Sequence, residues 1–105
     1  MWEVKGTKIK VADGDYGVEL PVTVYGTDLT EQDTLRFTFK DDVDGEIILE
    51  KEFTPVENTI NFELTEPEGE LFSPGVYAYK LDWYQSGVFM CNLIPVGLFV
   101  VVKTA

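Results

Sequence analysis

Acidic residues cluster in the segment Asp41–Glu46, which reads DDVDGE. Carboxylates alternate at Asp42, Asp44 and Glu46, and Gly45 allows a bend, as at the start of a calcium-binding loop. The twelve-residue helix-loop-helix pattern is absent, however, and no bidentate glutamate follows at the required distance. The simpler interpretation is a solvated hairpin tip, in which the Asp-Gly pair supplies the positive φ angles of a tight turn. We therefore predict no metal site and no cofactor.

Few residues are suited to nucleophilic or acid–base catalysis. The chain has no histidine, which removes Ser-His and Cys-His dyads and the commonest transition-metal ligand. The single cysteine, Cys91, lies in the apolar segment Val88–Leu93 without a neighbouring base, so we expect a small buried side chain. A glycosidase needs two carboxyl groups held across a cleft, and nothing selects a pair among 19 acids. We predict no catalytic residues and no enzymatic activity.

Aromatic residues offer a second kind of site. Every second residue from Tyr77 to Trp83 is large and apolar, and such a row could stack against sugars if it were exposed. Since Leu81 shares the same face, period-two alternation predicts instead that the row points into a core. Trp2 and Tyr84 fall outside the row and are better candidates for exposed contacts.

Composition limits the partners of this chain. It has 105 residues, a formal net charge of −11 and a pI of about 4.2, with 45% hydrophobic residues. A chain of this length and hydrophobicity is expected to fold as one domain, spanning residues 1–105. Its charge repels phosphate backbones and anionic membrane surfaces, so we predict neither nucleic acid nor membrane as a partner.

Targeting and membrane signals are not visible in the sequence. The first residues show no apolar stretch behind a basic end, so we expect no signal peptide. The longest apolar run, Leu93–Val102, is interrupted by Pro95 and Gly97, and it is half the ~20 residues that a membrane-spanning helix needs. A lone cysteine fits a reducing compartment. The expectation is a soluble chain.

Alternation of apolar and polar residues dominates the sequence and predicts half-buried strands. The predicted strands are Thr7–Ala12, Gly17–Tyr25, Leu35–Lys40, Glu46–Phe53, Ile60–Leu64, Val76–Tyr84, Val88–Leu93 and Leu98–Lys103. Turns are predicted at Asp13–Asp15, Asp44–Gly45, Ser86–Gly87 and Pro95–Gly97. One helical turn fits within Glu66–Ser73. Seven or eight strands at this spacing predict an all-β fold, either a sandwich or a barrel.

Four segments, in order along the chain, resemble the immunoglobulin-like domains of phage tail and baseplate proteins, among them the N-terminal domain of the baseplate upper protein. They are Ala12–Gly17 (ADGDYG), Thr27–Phe37 (TDLTEQDTLRF), Ser73–Trp83 (SPGVYAYKLDW) and Pro95–Val101 (PVGLFVV). The resemblance implies an Ig-like antiparallel β-sandwich of seven or eight strands. Such domains usually precede a fibre or receptor-binding region, so this chain is either free-standing or part of a longer protein.

The resemblance also implies a non-enzymatic structural module. Its partners would be other virion or tail proteins or copies of itself, giving a homo-oligomer, and its location the virion tail or the bacterial cytoplasm before assembly. The candidate interface residues are Trp2, Tyr84, Val100 and Val102. If two acidic surfaces meet there, association should strengthen with added salt. The alternative function is that of a carbohydrate-binding or adhesin-type β-sandwich.

Overall fold

The computed structural model describes residues 2–5, 8–12, 20–26, 28–42 and 45–102, and for residues 2–5 it describes the backbone only. These residues form eight strands and one short helix. The elements are β1 (Trp2–Lys5), β2 (Lys8–Ala12), β3 (Leu20–Thr23), β4 (Asp33–Lys40), β5 (Ile47–Phe53), β6 (Thr59–Phe62), α1 (Glu66–Gly69), β7 (Gly75–Gln85) and β8 (Val88–Val102). The prediction of an all-β fold is confirmed.

The strands form two sheets of unequal size. Six strands make the larger sheet, in the order β1-β2-β8-β7-β4-β5, and β3 pairs with β6 in the smaller one. Strand β2 runs parallel to β8, with Ile9 opposite Phe99 and Ala12 opposite Val102. Every other pairing of the described strands is antiparallel. The larger sheet is therefore mixed, whereas the resemblance implies a purely antiparallel sandwich.

Aromatic side chains join the two sheets. The ring centroids of Phe37 in β4 and Phe62 in β6 lie 4.7 Å apart, and those of Phe39 in β4 and Phe62 lie 5.8 Å apart. Side chains of this size contribute most of the apolar area that a small core buries. The core lies between the sheets, in a two-layer, sandwich-like arrangement.

Strand β8 continues through the segment that the sequence predicts as a break. In its pairing with β7, Tyr79 lies opposite Gly97 and Leu81 opposite Ile94, so the register shifts where Pro95 stands. Proline cannot donate to a β-ladder and is tolerated at such irregularities. The prediction of two separate strands is wrong, because a bulge accommodates the proline within one long strand.

The predicted turns have mixed outcomes. Ser86 and Gly87 have φ angles of 48° and 82°, the pair of positive values that a two-residue type I′ hairpin requires. That prediction is confirmed, as is the helical turn, which appears as α1. Asp13–Asp15 and Asp44 lie outside the described residues. Gly45 does not have the positive φ angle that the Asp-Gly prediction expects. A Cβ atom at Gly45 would lie 2.7 Å from the backbone nitrogen of Asp42.

Candidate interaction surface

Cys91 is exposed on β8, so the prediction of a buried cysteine is wrong. Register shifts occur on both sides of its pairing with Trp83, between Leu81 and Asp82 and between Trp83 and Tyr84. Bulges of this kind break period-two alternation, and the whole segment Val88–Cys91 is exposed as a result. An alternation pattern read from sequence cannot place these side chains correctly.

The acidic segment lies at the β4–β5 connection. Asp41, Asp42 and Glu46 are exposed, and residues 43–44 are outside the described part of the chain. No group of three or more potential metal-ligating side chains occurs among the described residues. The hairpin is closed by hydrogen bonds from Asp41 N to Glu46 O (3.1 Å) and from Gly45 N to Asp42 O (2.9 Å).

Calcium is expected to leave the stability of the protein unchanged, because a backbone-closed hairpin with solvated carboxylates gains little from a weakly held ion. The measurement is the melting temperature by differential scanning fluorimetry, with and without calcium at about 1–5 mM, a range that saturates even weak extracellular calcium sites. Magnesium at the same concentration controls for ionic strength. A calcium-specific rise of several degrees would contradict the expectation.

The aromatic row of β7 faces the core, as its alternation predicts. Tyr79 and Leu81 are buried in the core cluster, and Tyr77 and Trp83 are half-buried against it. The phenol of Tyr77 donates to the carbonyl oxygen of Ser73 at 2.6 Å, and the indole of Trp83 also has a polar partner, Asp33. These rings therefore do not form a platform on the surface.

Asp33 is a fully buried carboxylate at the start of β4. It accepts hydrogen bonds from the Thr30 backbone N–H at 2.6 Å and from Trp83 Nε1 at 2.8 Å. Burial raises the pKa of Asp33, but the bonds from the Thr30 N–H, from Trp83 and from the Thr30 hydroxyl outweigh it and lower the pKa below its ordinary value. The ionised carboxylate thus fastens the 30–33 turn to β7, a structural role that the sequence reasoning missed.

An ion pair fastens α1 to the larger sheet. Lys51 Nζ in β5 lies 2.8 Å from Glu68 Oε1 and 2.6 Å from the carbonyl oxygen of Glu63. The Thr65 hydroxyl and the Glu68 carboxylate form a capping box around the start of the helix. Burial raises the pKa of Glu68, but the hydrogen bonds from Lys51 and Thr65 outweigh this effect, so the pKa lies below its ordinary value. The short helix is therefore held in a defined position.

The predicted interface residues are only partly brought together. Tyr84, Val100 and Val102 are half-buried, and the side chain of Trp2 lies outside the described residues. Tyr84 is held by Arg36, whose guanidinium carbon lies 4.3 Å from the ring centroid and whose Nη1 donates to the phenol oxygen. Val100 and Val102 belong to an interior strand of the sheet, so they can contact a partner through their side chains but not through a strand edge.

An exposed apolar surface surrounds the two valines on the outer face of the larger sheet. Val76 lies opposite Val100, and Leu98 lies opposite Ala78. Val76 is 62% exposed and Leu98 44%, although both occupy interior strands. We define the valine patch as the residues Val76, Val96, Leu98, Val100 and Val102. In β8, Leu98, Val100 and Val102 alternate with the buried Phe99 and Val101. This period-two pattern is the sequence signal that could have identified the three as outward-facing.

Basic side chains border the valine patch. Lys10 lies directly opposite Val100, and Lys40 directly opposite Ala78. Five of the eight basic residues of the chain occupy this outer face, where they alternate with core residues of β2, β4 and β7: Lys8, Lys10, Arg36, Lys40 and Lys80. Lysines therefore flank the apolar centre, whereas Glu50 and Glu52 continue the same face on the edge strand β5.

Two of these basic residues form ion pairs within the face. Arg36 Nη2 lies 3.0 Å from Glu52 Oε1, and Lys80 Nζ lies 3.5 Å from the buried carboxylate of Asp82. Asp82 also accepts a hydrogen bond from Asn92. No ion pair is found for Lys8 or Lys40 among the described residues. Within the described part of this face, their ammonium groups are therefore available to an acidic partner.

The charged side chains in the opposite layer of the molecule are all acidic among the described residues. The described residues in ranges 20–32 and 54–74 form β3, β6, α1 and their connections, and they contain seven acidic and no basic residues. The acids are Asp28, Glu31, Glu57, Glu63, Glu66, Glu68 and Glu70. The two layers therefore differ strongly in charge.

No helix in the described ranges combines the length and the apolar character needed to cross a membrane. Comparison of the chain with protein-family models, with curated proteins and with solved structures finds no match.

Proposed function

We propose that this chain is a non-enzymatic protein–protein interaction module and a structural component of a phage or prophage tail or baseplate. The observation that carries the proposal is the valine patch, an exposed apolar surface on interior strands where solvated side chains would be expected. The four segments that resemble tail and baseplate domains supply the biological setting. In the same proposal, the sandwich-like fold is a variant of the Ig-like arrangement.

Two hydrogen-bonded carboxylates, one buried and one partly buried, support a structural role. Asp33 and Glu68 both have lowered pKa values, and both use their carboxylates to fasten one element to another. A general acid requires the opposite shift, toward a raised pKa, together with access to a cleft. The alternative of a carbohydrate-binding sandwich is not favoured, since the row from Tyr77 to Trp83 packs against the core.

The proposed partners are other tail proteins or further copies of the chain. Assembly would take place in the bacterial cytoplasm and leave the protein in the virion tail, without cofactor or metal. Binding would bury the valine patch, whose removal from water supplies the free energy.

Mass spectrometry of density-purified particles from a strain that encodes the chain tests this proposal. The chain should co-purify with tail proteins in constant ratio. Replacement Val76→Asp should lower its incorporation about tenfold or more, because a carboxylate would be buried unpaired. Val88→Asp is the matched control: Val88 is 63% exposed but lies outside the patch, so incorporation should be retained.

Absence of the chain from particles, despite expression in the cell, would overturn the tail assignment. Equal incorporation of both variants would overturn the role of the valine patch. Thermal melts of both variants would confirm that each is folded before the particles are compared.

A further inference from the structure

The acidic layer presents a surface that complements the valine patch. At α1, Glu66 and Glu70 are exposed, and the adjoining Leu71 is 52% exposed. We define the acidic corner as these three residues. The capping box and the Lys51–Glu68 ion pair hold this segment in place, so little conformational entropy would be lost on binding.

The two surfaces point away from each other. Phe72, which follows the acidic corner, is buried with its ring 5.5 Å from Phe39 and 5.1 Å from Phe99 on the inner face of the sheet. The valine patch lies on the outer face of the same sheet. One molecule therefore cannot bring its own corner onto its own patch, and it can present both surfaces at once.

Resting on the proposed function, which needs an occupant for the valine patch, we infer that this occupant is the acidic corner of a second copy of the chain. Leu71 packs on Val76 and Leu98, and the carboxylates of the corner approach Lys8 and Lys40. Because the contact joins two different surfaces, it is heterologous, and its repetition builds a ring or an open-ended row of subunits.

Net repulsion between two copies of charge −11 does not prevent this contact at physiological salt. The Debye length is then about 8 Å, so charges at the interface outweigh those farther away. At about 0.01 M salt it is about 30 Å, comparable to the molecule's extents of 42 × 28 × 25 Å, and whole-molecule repulsion returns. At about 1 M salt the lysine–carboxylate attraction is screened. Association should thus be strongest at intermediate salt, whereas a contact between two acidic surfaces strengthens continuously as salt is added.

Charge reversal on each side tests the inference by sedimentation velocity over a range of concentrations. The patch variant is Lys8→Glu with Lys40→Glu, and the corner variant is Glu66→Lys with Glu70→Lys. The wild type should form species larger than a dimer as concentration rises. Each variant alone should associate about tenfold more weakly, as expected when two exposed charge pairs become repulsive.

An equimolar mixture of the two variants should recover association, because every patch then meets a corner of opposite charge. Circular dichroism and thermal melts check that both variants fold, and all four positions lie on the surface or at its edge. Glu31→Lys with Glu57→Lys is the matched control for net charge: it alters the acidic layer away from α1 and should not weaken association as the corner variant does.

Four results would overturn the inference. The first is a wild type that stays monomeric throughout, and the second is normal self-association of the corner variant alone, which indicates a patch-to-patch dimer. The others are no recovery in the mixture and a continuous rise of association with salt. If Val76→Asp still removed the chain from particles, the proposed function would stand and the partner would be a different acidic protein.

Discussion

Gly97→Ala is expected to destabilise the protein by about 3 kcal/mol, near the upper end of what overpacking a core usually costs. A Cβ atom at Gly97 would lie 2.3 Å from Tyr79 Cε1 and 2.4 Å from Tyr79 Cζ. The Tyr79 ring cannot easily retreat, since Phe37 and Phe39 pack on it with centroids 6.3 and 5.8 Å away. Chemical denaturation gives the free energy of unfolding. A total stability of roughly 5–15 kcal/mol makes this a large fraction.

Gly75→Ala is the matched control for Gly97→Ala. Gly75 is in the adjoining strand, and the nearest atom to a Cβ there is 3.9 Å away, so a change within about 1 kcal/mol is expected. The clash also predicts a coupling: in a Tyr79→Leu background, Gly97→Ala should cost less than half as much. An equal cost in both backgrounds would show that the ring is not the cause.

Asp33→Asn is expected to destabilise the protein by about 2–4 kcal/mol. The carboxylate accepts from two fixed donors, the Thr30 N–H and Trp83 Nε1. An asparagine amide can accept from one of them only by turning its own N–H groups toward the other, which leaves a buried donor unpaired. Asp28→Asn, an exposed site with the same chemical change, should alter stability by less than about 0.5 kcal/mol.

The pH dependence of this loss follows from the lowered pKa of Asp33. A carboxyl group whose pKa is lower in the folded than in the unfolded state stabilises the fold fully above its unfolded pKa, about 3.9. The stabilisation disappears as the pH falls from there through the lowered folded value. The difference in unfolding free energy between wild type and Asp33→Asn should therefore be constant near neutral pH and shrink below about pH 4. A difference that grew on acidification would contradict this assignment.

Regular alternation explains which parts of the fold could be predicted from the sequence. In β4 the core residues Leu35, Phe37 and Phe39 alternate in sequence with the polar Arg36 and Thr38, and the predicted strand is confirmed, although Thr38 is buried as well. The same holds for the row in β7. Residues on one face of a strand recur at every second position, so the sequence of the strand itself shows which residues face the core.

The bulged strand and the parallel pairing could not be predicted in this way. Each shift in β8 adds a residue that depends on the geometry of β7, and the sequence shows neither the exposure of Cys91 nor the continuation of the strand through Pro95. Strand β1 precedes the predicted start of the first strand, although its four residues alternate between apolar and polar types.

The candidate surface was predicted in fragments. Val100 and Val102 were identified, but Val76 belongs to a different segment and joins them only through its pairing with β8. The buried Asp33 site depends on Trp83, 50 positions away in sequence. Long-range partners of this kind are set by the tertiary fold and leave no local signature.

The parallel pairing of β2 with β8 has a consequence for the order of folding. Ile9 meets Phe99 across 90 positions of sequence, and closing so long a loop is costly until the intervening strands are formed. Hairpins such as β4–β5 and β7–β8 can form locally, but β2 has to wait for β8. During synthesis, β2 would therefore leave the ribosome well before its partner exists. Non-local contacts of this kind slow folding and lengthen the time for which apolar strands stay unpaired.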